Sequence, residues 1–93
     1  KNMDVNLTNS PNPCTSSTSV EFTMSESGKV KLVVQDAFGN LVANLFEGFA
    51  TSGRQSYEWN GVNIEGTPVS TGVYIYRLEV GGQIITGKMT LTR

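Results

Sequence analysis

The side chains that could do chemistry are few and widely separated in this sequence. No histidine is present among the 93 residues, so the commonest general base and the commonest zinc ligand are both missing. A glycosidase needs two carboxylates that face each other across a cleft. The acidic residues instead stand singly along the chain, at Asp4, Glu21, Glu26, Asp36, Glu47, Glu58, Glu65 and Glu79. We therefore expect a protein that is not an enzyme and that needs no cofactor.

Two further residues have both a chemical and a structural interpretation. Cys14 is the only cysteine, so it forms no intrachain disulfide, and it is either a small apolar plug or a free thiol. Asp36 stands alone before a Gly-Asn turn, where a carboxylate either binds calcium or caps its own turn. For Cys14 we favour the apolar plug, because no histidine is present to activate the thiol. For Asp36 we favour the cap, because a lone aspartate before a Gly-Asn turn more often caps its own turn.

The aromatic residues suggest a sugar-binding module as one alternative. Trp59 and the neighbouring tyrosines could stack on a polysaccharide, as aromatic rings do in carbohydrate-binding β-sandwiches. Tyr74 and Tyr76, however, alternate in step with Leu78 and Val80, which favours a place in the core. Trp59, directly before an Asn-Gly turn, is expected to be a core residue as well.

Charge and hydropathy exclude two classes of partner. The formal net charge is −1 and the seven basic residues are spread along the chain, which is not the pattern of a nucleic-acid binder. No apolar run approaches the roughly 18 residues that a membrane span requires. The chain opens at Lys1 with Met3 inside it, and no signal peptide is evident, so we expect part of a longer polypeptide.

Hydrophobic residues alternate with period two over most of the chain, which predicts strands. Residues 8–19 form an extended, polar lead-in. Residues 20–24, 29–35, 41–47 and 56–59 read as strands, followed by a final hairpin, 72–80 and 83–93, around Gly81-Gly82. The segment 41–47 also fits a short helix, but its length and composition favour a strand. With no helical pattern for crossovers, the expected fold class is all-β, an antiparallel β-sandwich of about seven strands.

The final hairpin has two different faces. Met89 and Leu91 are expected in the core, whereas Arg77, Glu79 and Lys88 are expected to face solvent.

Several short motifs follow one another along the chain in a distinctive order. They are Ser10-Pro11-Asn12-Pro13, Asp36-Ala37-Phe38-Gly39, Trp59-Asn60-Gly61, Gly66-Thr67-Pro68-Val69, Gly72-Val73-Tyr74-Ile75-Tyr76 and Lys88-Met89. In this order the chain resembles the type A C-terminal sorting domain of the type IX secretion system. It is also similar to the immunoglobulin-like domain of flagellar hook-capping proteins. Cys14 and Asn60 depart from the family, which usually has a large apolar residue and an aspartate there.

The resemblance implies an immunoglobulin-like sandwich over residues 10–93, with residues 1–9 as the linker remnant from an upstream domain. It implies a non-catalytic address label on a larger secreted protein of Bacteroidota or their relatives. Such cargo crosses the periplasm, is recognised by the outer-membrane secretion machinery and is then attached at the cell surface or released outside. A sortase-type protease would remove the domain. The alternatives are a carbohydrate-binding accessory module and an immunoglobulin-like spacer.

Recognition residues follow from the resemblance together with the hairpin pattern. The resemblance places them at Gly72, Tyr74 and Lys88 and at the prolines of the lead-in, Pro11 and Pro13. The solvent side of the hairpin adds Arg77 and Glu79, together with the terminal Arg93. A purely structural role, in shaping turns and core, is the alternative for the positions taken from the resemblance.

Overall fold

The structure is a computed structural model that describes residues 6–10, 12 and 15–92, and strands make up most of them. The seven strands are β1 (Asn6–Ser10), β2 (Thr18–Met24), β3 (Gly28–Asp36), β4 (Leu41–Ala50), β5 (Gly53–Trp59), β6 (Gly72–Val80) and β7 (Gln83–Leu91). No helix in these ranges is long and apolar enough to cross a membrane.

The strands form two antiparallel sheets. One sheet has the order β1-β2-β5 and the other the order β4-β3-β6-β7. All pairings are antiparallel, and the two sheets pack face to face, as in immunoglobulin-like sandwiches. The expected all-β fold with about seven strands is confirmed.

The space between the sheets is filled by alternate residues of each strand. The side chains almost fully excluded from solvent are Trp59, Phe22, Met24, Leu32, Leu78, Met89, Leu91, Val20, Val34, Val80 and Thr18. Tyr74 and Tyr76 are also buried. The period-two prediction of core residues in the final hairpin is therefore confirmed, and so is the core position of Trp59.

Two large aromatic residues at one end of the core, Trp59 and Tyr74, donate hydrogen bonds to carbonyl groups of a single loop. Trp59 Nε1 donates to the carbonyl of Val62 at 2.9 Å, and the Tyr74 hydroxyl donates to the carbonyl of Ser70 at 2.6 Å. Their rings lie 5.2 Å apart between centroids in a tilted arrangement. The segment 60–71, which carries the chain from one sheet to the other, is thereby anchored to the core.

Strand boundaries differ most from the sequence expectation at three places. Residues 6–9, which the sequence analysis assigns to a linker, pair with β2 as part of β1, because their backbone groups complete the edge of that sheet. β4 is a strand, as favoured, but it continues to Ala50. β5 begins at Gly53, three residues before the expected start, since polar residues on its solvent side hide the alternation.

The pairing of β3 with β4 contains two irregularities. The register shifts between Leu32 and Val33 and again between Val34 and Gln35. Val33 alternates away from the core, yet only 3% of it is exposed. Its register neighbours are Asn44 and Arg77. The outer face of this sheet therefore has a buried apolar position of its own.

Candidate functional site

The outer face of the four-stranded sheet collects most of the charged residues that sequence analysis singled out. Register pairing places Arg77 between Val33 of β3 and Thr86 of β7. Two residues further along β6, Glu79 lies between Lys31 and Ile84. Residues two apart on a strand share a face, so Arg77 and Glu79 project together, away from the core.

Arg77 and Glu79 form an ion pair on this face. Arg77 Nη1 lies 3.4 Å from Glu79 Oε2, and both side chains are partly exposed. An exposed pair of this kind contributes only about 0–1 kcal/mol to folding stability. The two charges are therefore available for interactions outside the domain at little cost to the fold.

Opposite charges alternate across the sheet beside this pair. Lys31 on β3 is flanked by Glu47 on β4 and by Glu79 on β6, so one cation lies between two carboxylates. Lys88 on β7 is exposed and pairs with Ile75. The face presents a mixed pattern of charges, which suits recognition of a partner with a matching pattern.

An open groove lies at the end of this face where the β2–β3 connection meets the β6–β7 hairpin turn. Its volume is about 720 Å³, and its lining includes Lys29, Lys31, Glu47, Glu79 and Ile84, together with the turns at 26–28 and 81–82. Ile84 is exposed although apolar. Glu79 belongs to both the ion pair and the groove, so the groove continues the charged face.

The candidates taken from the resemblance do not all lie on this face. Tyr74 is buried and points into the core, and its hydroxyl hydrogen bond anchors the loop 60–71. Gly72 pairs with Leu91 at the start of β6. Arg93, Pro11 and Pro13 lie outside the described residues. The structure thus brings Arg77, Glu79 and Lys88 to one surface, whereas Tyr74 packs in the core and anchors the loop 60–71.

The lead-in segment contacts the terminal strand through Asn12. Its side-chain Nδ2 donates to the carbonyl of Lys88 at 3.2 Å, and the Thr90 N–H donates to its Oδ1 at 3.1 Å. A single amide side chain thus occupies two backbone groups on the edge of β7, as a neighbouring strand would. In the sequence Asn12 is visible only as part of a proline motif, because an edge contact over this separation leaves no local pattern.

The rings proposed for sugar stacking are not arranged as a platform. Trp59, Tyr74 and Tyr76 are buried. Tyr57 is half-buried and stacks on Phe46, with ring centroids 4.8 Å apart. These rings are used for packing, so the observation on which the carbohydrate hypothesis rests is better explained by the core.

Asp36 caps its own turn, as the sequence analysis favours. Its Oδ1 accepts from the N–H groups of Phe38 and Asn40, and its Oδ2 accepts from the Asn40 side-chain amide. The hydrogen bonds from Asn40 are the main cause that lowers the pKa of Asp36 below its ordinary value of 3.8. In the part of the chain that the structure describes, no group of three or more His, Cys, Asp or Glu residues could hold a metal ion.

Comparison with models of known protein families assigns the chain to one family. The model of the FlgD Ig-like domain matches residues 8–84. The chain belongs to the FlgD Ig-like domain family. A comparison with curated proteins returns no match.

Solved structures share the FlgD Ig-like fold at low sequence identity. Dimeric latent PorU from Porphyromonas gingivalis has a TM-score of 0.78 and 18% identity over 98% of this chain. PorZ, an essential surface component of the type IX secretion system of the same species, has a TM-score of 0.58 and 18% identity over 94%. The chain covers only 9% of the PorU chain and 11% of the PorZ chain.

The same fold also occurs in a different setting. The alkylpurine DNA glycosylase AlkC of Pseudomonas fluorescens, solved bound to DNA containing an abasic site analogue, has a TM-score of 0.56 and 14% identity. This chain covers 30% of that protein. The FlgD Ig-like fold therefore does not by itself decide a function, which has to be argued from the surface.

Proposed function

We propose that this domain is a non-catalytic type A sorting domain that directs a larger secreted protein through the type IX secretion system. The cargo crosses the periplasm, the domain is recognised by the outer-membrane secretion machinery, and the cargo reaches the cell surface, where a sortase-type protease removes the domain. The ordered motifs over residues 10–93 support this proposal. The fold shared with PorU and PorZ is consistent with it.

One observation carries the proposal: one face of the terminal hairpin packs in the core, whereas the other face carries charges that the fold does not need. Tyr76, Leu78 and Met89 fill the core. On the other side, Arg77 and Glu79 form a charged pair that contributes little to folding. A surface that the fold does not need, on the hairpin that carries the family motifs, is where we place the contact with the secretion machinery.

The proposal is tested with a reporter that carries a cleavable signal peptide, expressed in a bacterium with a type IX secretion system. Residues 1–93 are fused to the C-terminus of the reporter, and cells are fractionated into periplasm, surface and medium. We expect the fusion at the surface or in the medium and the reporter alone in the periplasm. Equal periplasmic retention of both would refute the proposal.

A truncated domain is not a suitable control. Removal of residues 83–93 deletes β7, including the fully buried Met89 and Leu91. Such a fusion would unfold whether or not the hairpin is recognised, so loss of export would have no clear meaning. Surface substitutions are the appropriate variants.

The second candidate is an immunoglobulin-like spacer, which the match to the FlgD Ig-like domain supports. A spacer holds neighbouring domains apart and needs no receptor. It predicts that the fusion and the reporter alone have the same distribution between periplasm and medium.

A further inference from the structure

The loop between β3 and β4 is held rigid while it presents a large apolar side chain to solvent. The N–H of Asp36 donates to the carbonyl of Asn40 at 2.9 Å, and the N–H of Gly39 donates to the carbonyl of Asp36 at 3.1 Å. The Asp36 carboxylate also accepts hydrogen bonds from the backbone N–H groups of Phe38 and Asn40 within the loop. Gly39 has a φ of 88°, which favours glycine. Phe38 is nevertheless 90% exposed.

A second loop in the domain is built on the same hydrogen-bond pattern. In the segment 63–67, Asn63 Oδ1 accepts from the N–H groups of Glu65 and Thr67 at 2.9 and 3.0 Å. Asn63 N donates to the Thr67 carbonyl and Gly66 N to the Asn63 carbonyl, both at 2.9 Å. This loop exposes Ile64, which is 64% accessible.

Both loops lie at the same end of the sandwich. Asp36 pairs with Tyr74 at the end of β3, and the Tyr74 hydroxyl holds the segment 60–71 through Ser70. The domain is 39 Å long and 22 by 19 Å across, so loops at one end are near one another. β1 begins at the other end, where Asn6 pairs with Thr23. We call residues 36–41 and 63–67 the loop end.

The loop end combines exposed apolar side chains with negative charge. Leu41, next to the first loop, is 53% exposed and adds to Phe38 and Ile64. The charged residues in 36–41 and 63–67 are Asp36 and Glu65, and neither segment contains Lys or Arg. Two carboxylates beside three apolar groups disfavour insertion into a lipid surface, above all an anionic one. They favour a protein pocket that is apolar inside and basic at its rim.

We propose that the loop end is a docking surface for a protein partner with an apolar pocket for the Phe38 ring and Lys or Arg around it. The loop is already ordered, so binding requires little loss of backbone entropy. Large apolar anchors seated in pockets dominate many interfaces. We take this partner to be a component of the secretion machinery, and in this the inference rests on the proposed function.

The test uses the same reporter fusion with Phe38→Ser. The ring is exposed and the N–H that bonds to Asp36 remains, so the thermal midpoint should stay that of the unsubstituted domain. Secreted reporter should fall about tenfold or more, as for loss of an interface anchor. Ala37→Ser is the matched control in the same loop and should be secreted normally. Phe38→Tyr keeps the ring and should retain most secretion.

A second variant tests the charge of the pocket rim. Glu65→Lys reverses the charge at an exposed site, and it should reduce secretion without changing the thermal midpoint. Normal secretion of both Phe38→Ser and Glu65→Lys, with an exported parent fusion, would overturn the docking proposal and leave the sorting function standing. If the parent fusion is not exported, both proposals fail.

The lipid alternative is tested directly by flotation with phosphatidylcholine vesicles. The docking proposal predicts no difference between the parent domain and Phe38→Ser, with neither floating with the vesicles. Flotation of the parent domain that Phe38→Ser abolishes would show that the loop end is a lipid anchor, and the protein pocket would be wrong.

Discussion

At the scale of single residues, the Asp36 side chain fixes the conformation of a loop and makes the stability of the fold depend on pH. Its lowered pKa means that the folded state favours the carboxylate. The stabilisation is fully present above the ordinary Asp value of 3.8 and is lost as the pH falls below it, through the lower folded-state pKa.

We predict that Asp36→Asn keeps the loop but removes this pH dependence. An amide oxygen can accept the same two backbone bonds, as Asn63 does in the equivalent loop. Urea unfolding of both proteins across acidic pH should show a steeper loss of stability in the parent, since other carboxylates contribute equally to both. An NMR titration that gives Asp36 a pKa at or above 3.8 would contradict the account.

Gly87 is the second residue with a specific prediction. It pairs with Tyr76, and a Cβ at position 87 would overlap the Tyr76 ring. Because that ring is buried, Gly87→Ala should lower the free energy of unfolding by about 1–3 kcal/mol through overpacking. Gly72→Ala is the matched control, since its nearest neighbour atom would lie at 3.9 Å, an ordinary contact. Equal stability of the two variants in urea would exclude the proposed packing of Tyr76 on Gly87.

At the scale of elements, the edge of β7 depends on one side chain from the lead-in. Asn12→Ala removes the bonds to the Lys88 carbonyl and the Thr90 N–H, so the Thr90 amide should exchange with solvent faster. The free energy of unfolding should fall by about 1 kcal/mol, the net value of exposed hydrogen bonds. Asn44→Ala is the control, since its side-chain amide donates to Glu47 and not to the edge of β7. Unchanged exchange at Thr90 in Asn12→Ala would show that the lead-in does not hold the edge.

The elements also show what a sequence can and cannot reveal. The faces of the final hairpin follow from alternation, because Tyr76 and Leu78 meet the core at every second position while Arg77 does not. The burial of Val33 on the outer face could not be predicted, because it depends on neighbours in two other strands. The first strand was hidden for a similar reason: its polar residues pair on a sheet edge, which needs backbone groups rather than an apolar pattern.

The candidate site was partly predictable for the same physical reasons. Alternation placed Arg77 and Glu79 on the solvent side together, and their ion pair is found there. The flanking of Lys31 by Glu47 and Glu79 depends on strand order, which period-two patterns do not encode. The repeated loop geometry at Asp36 and Asn63 was also missed, since only the turn chemistry of each segment is visible in sequence.

At the scale of the whole molecule, the domain has two sheets with comparable charged pairs on their outer faces. Arg77 and Glu79 lie on the four-stranded sheet, and Arg54 and Glu21 form an ion pair on the three-stranded sheet. Both pairs are exposed or partly exposed and contribute little to folding. The proposed function assigns recognition to the first pair only, so the second is a control built into the same fold.

The central claim is tested most directly by exchanging the charges within each pair in the reporter fusion. Arg77→Glu with Glu79→Arg keeps the net charge and the ion pair but reverses its polarity, and the same holds for Glu21→Arg with Arg54→Glu. The measurement is the secreted fraction of the reporter, with the thermal midpoint of each domain confirming the fold. We predict periplasmic retention of the Arg77/Glu79 exchange and normal secretion of the Glu21/Arg54 exchange. Normal secretion of both folded variants would contradict the claim that the terminal hairpin's outer face is recognised.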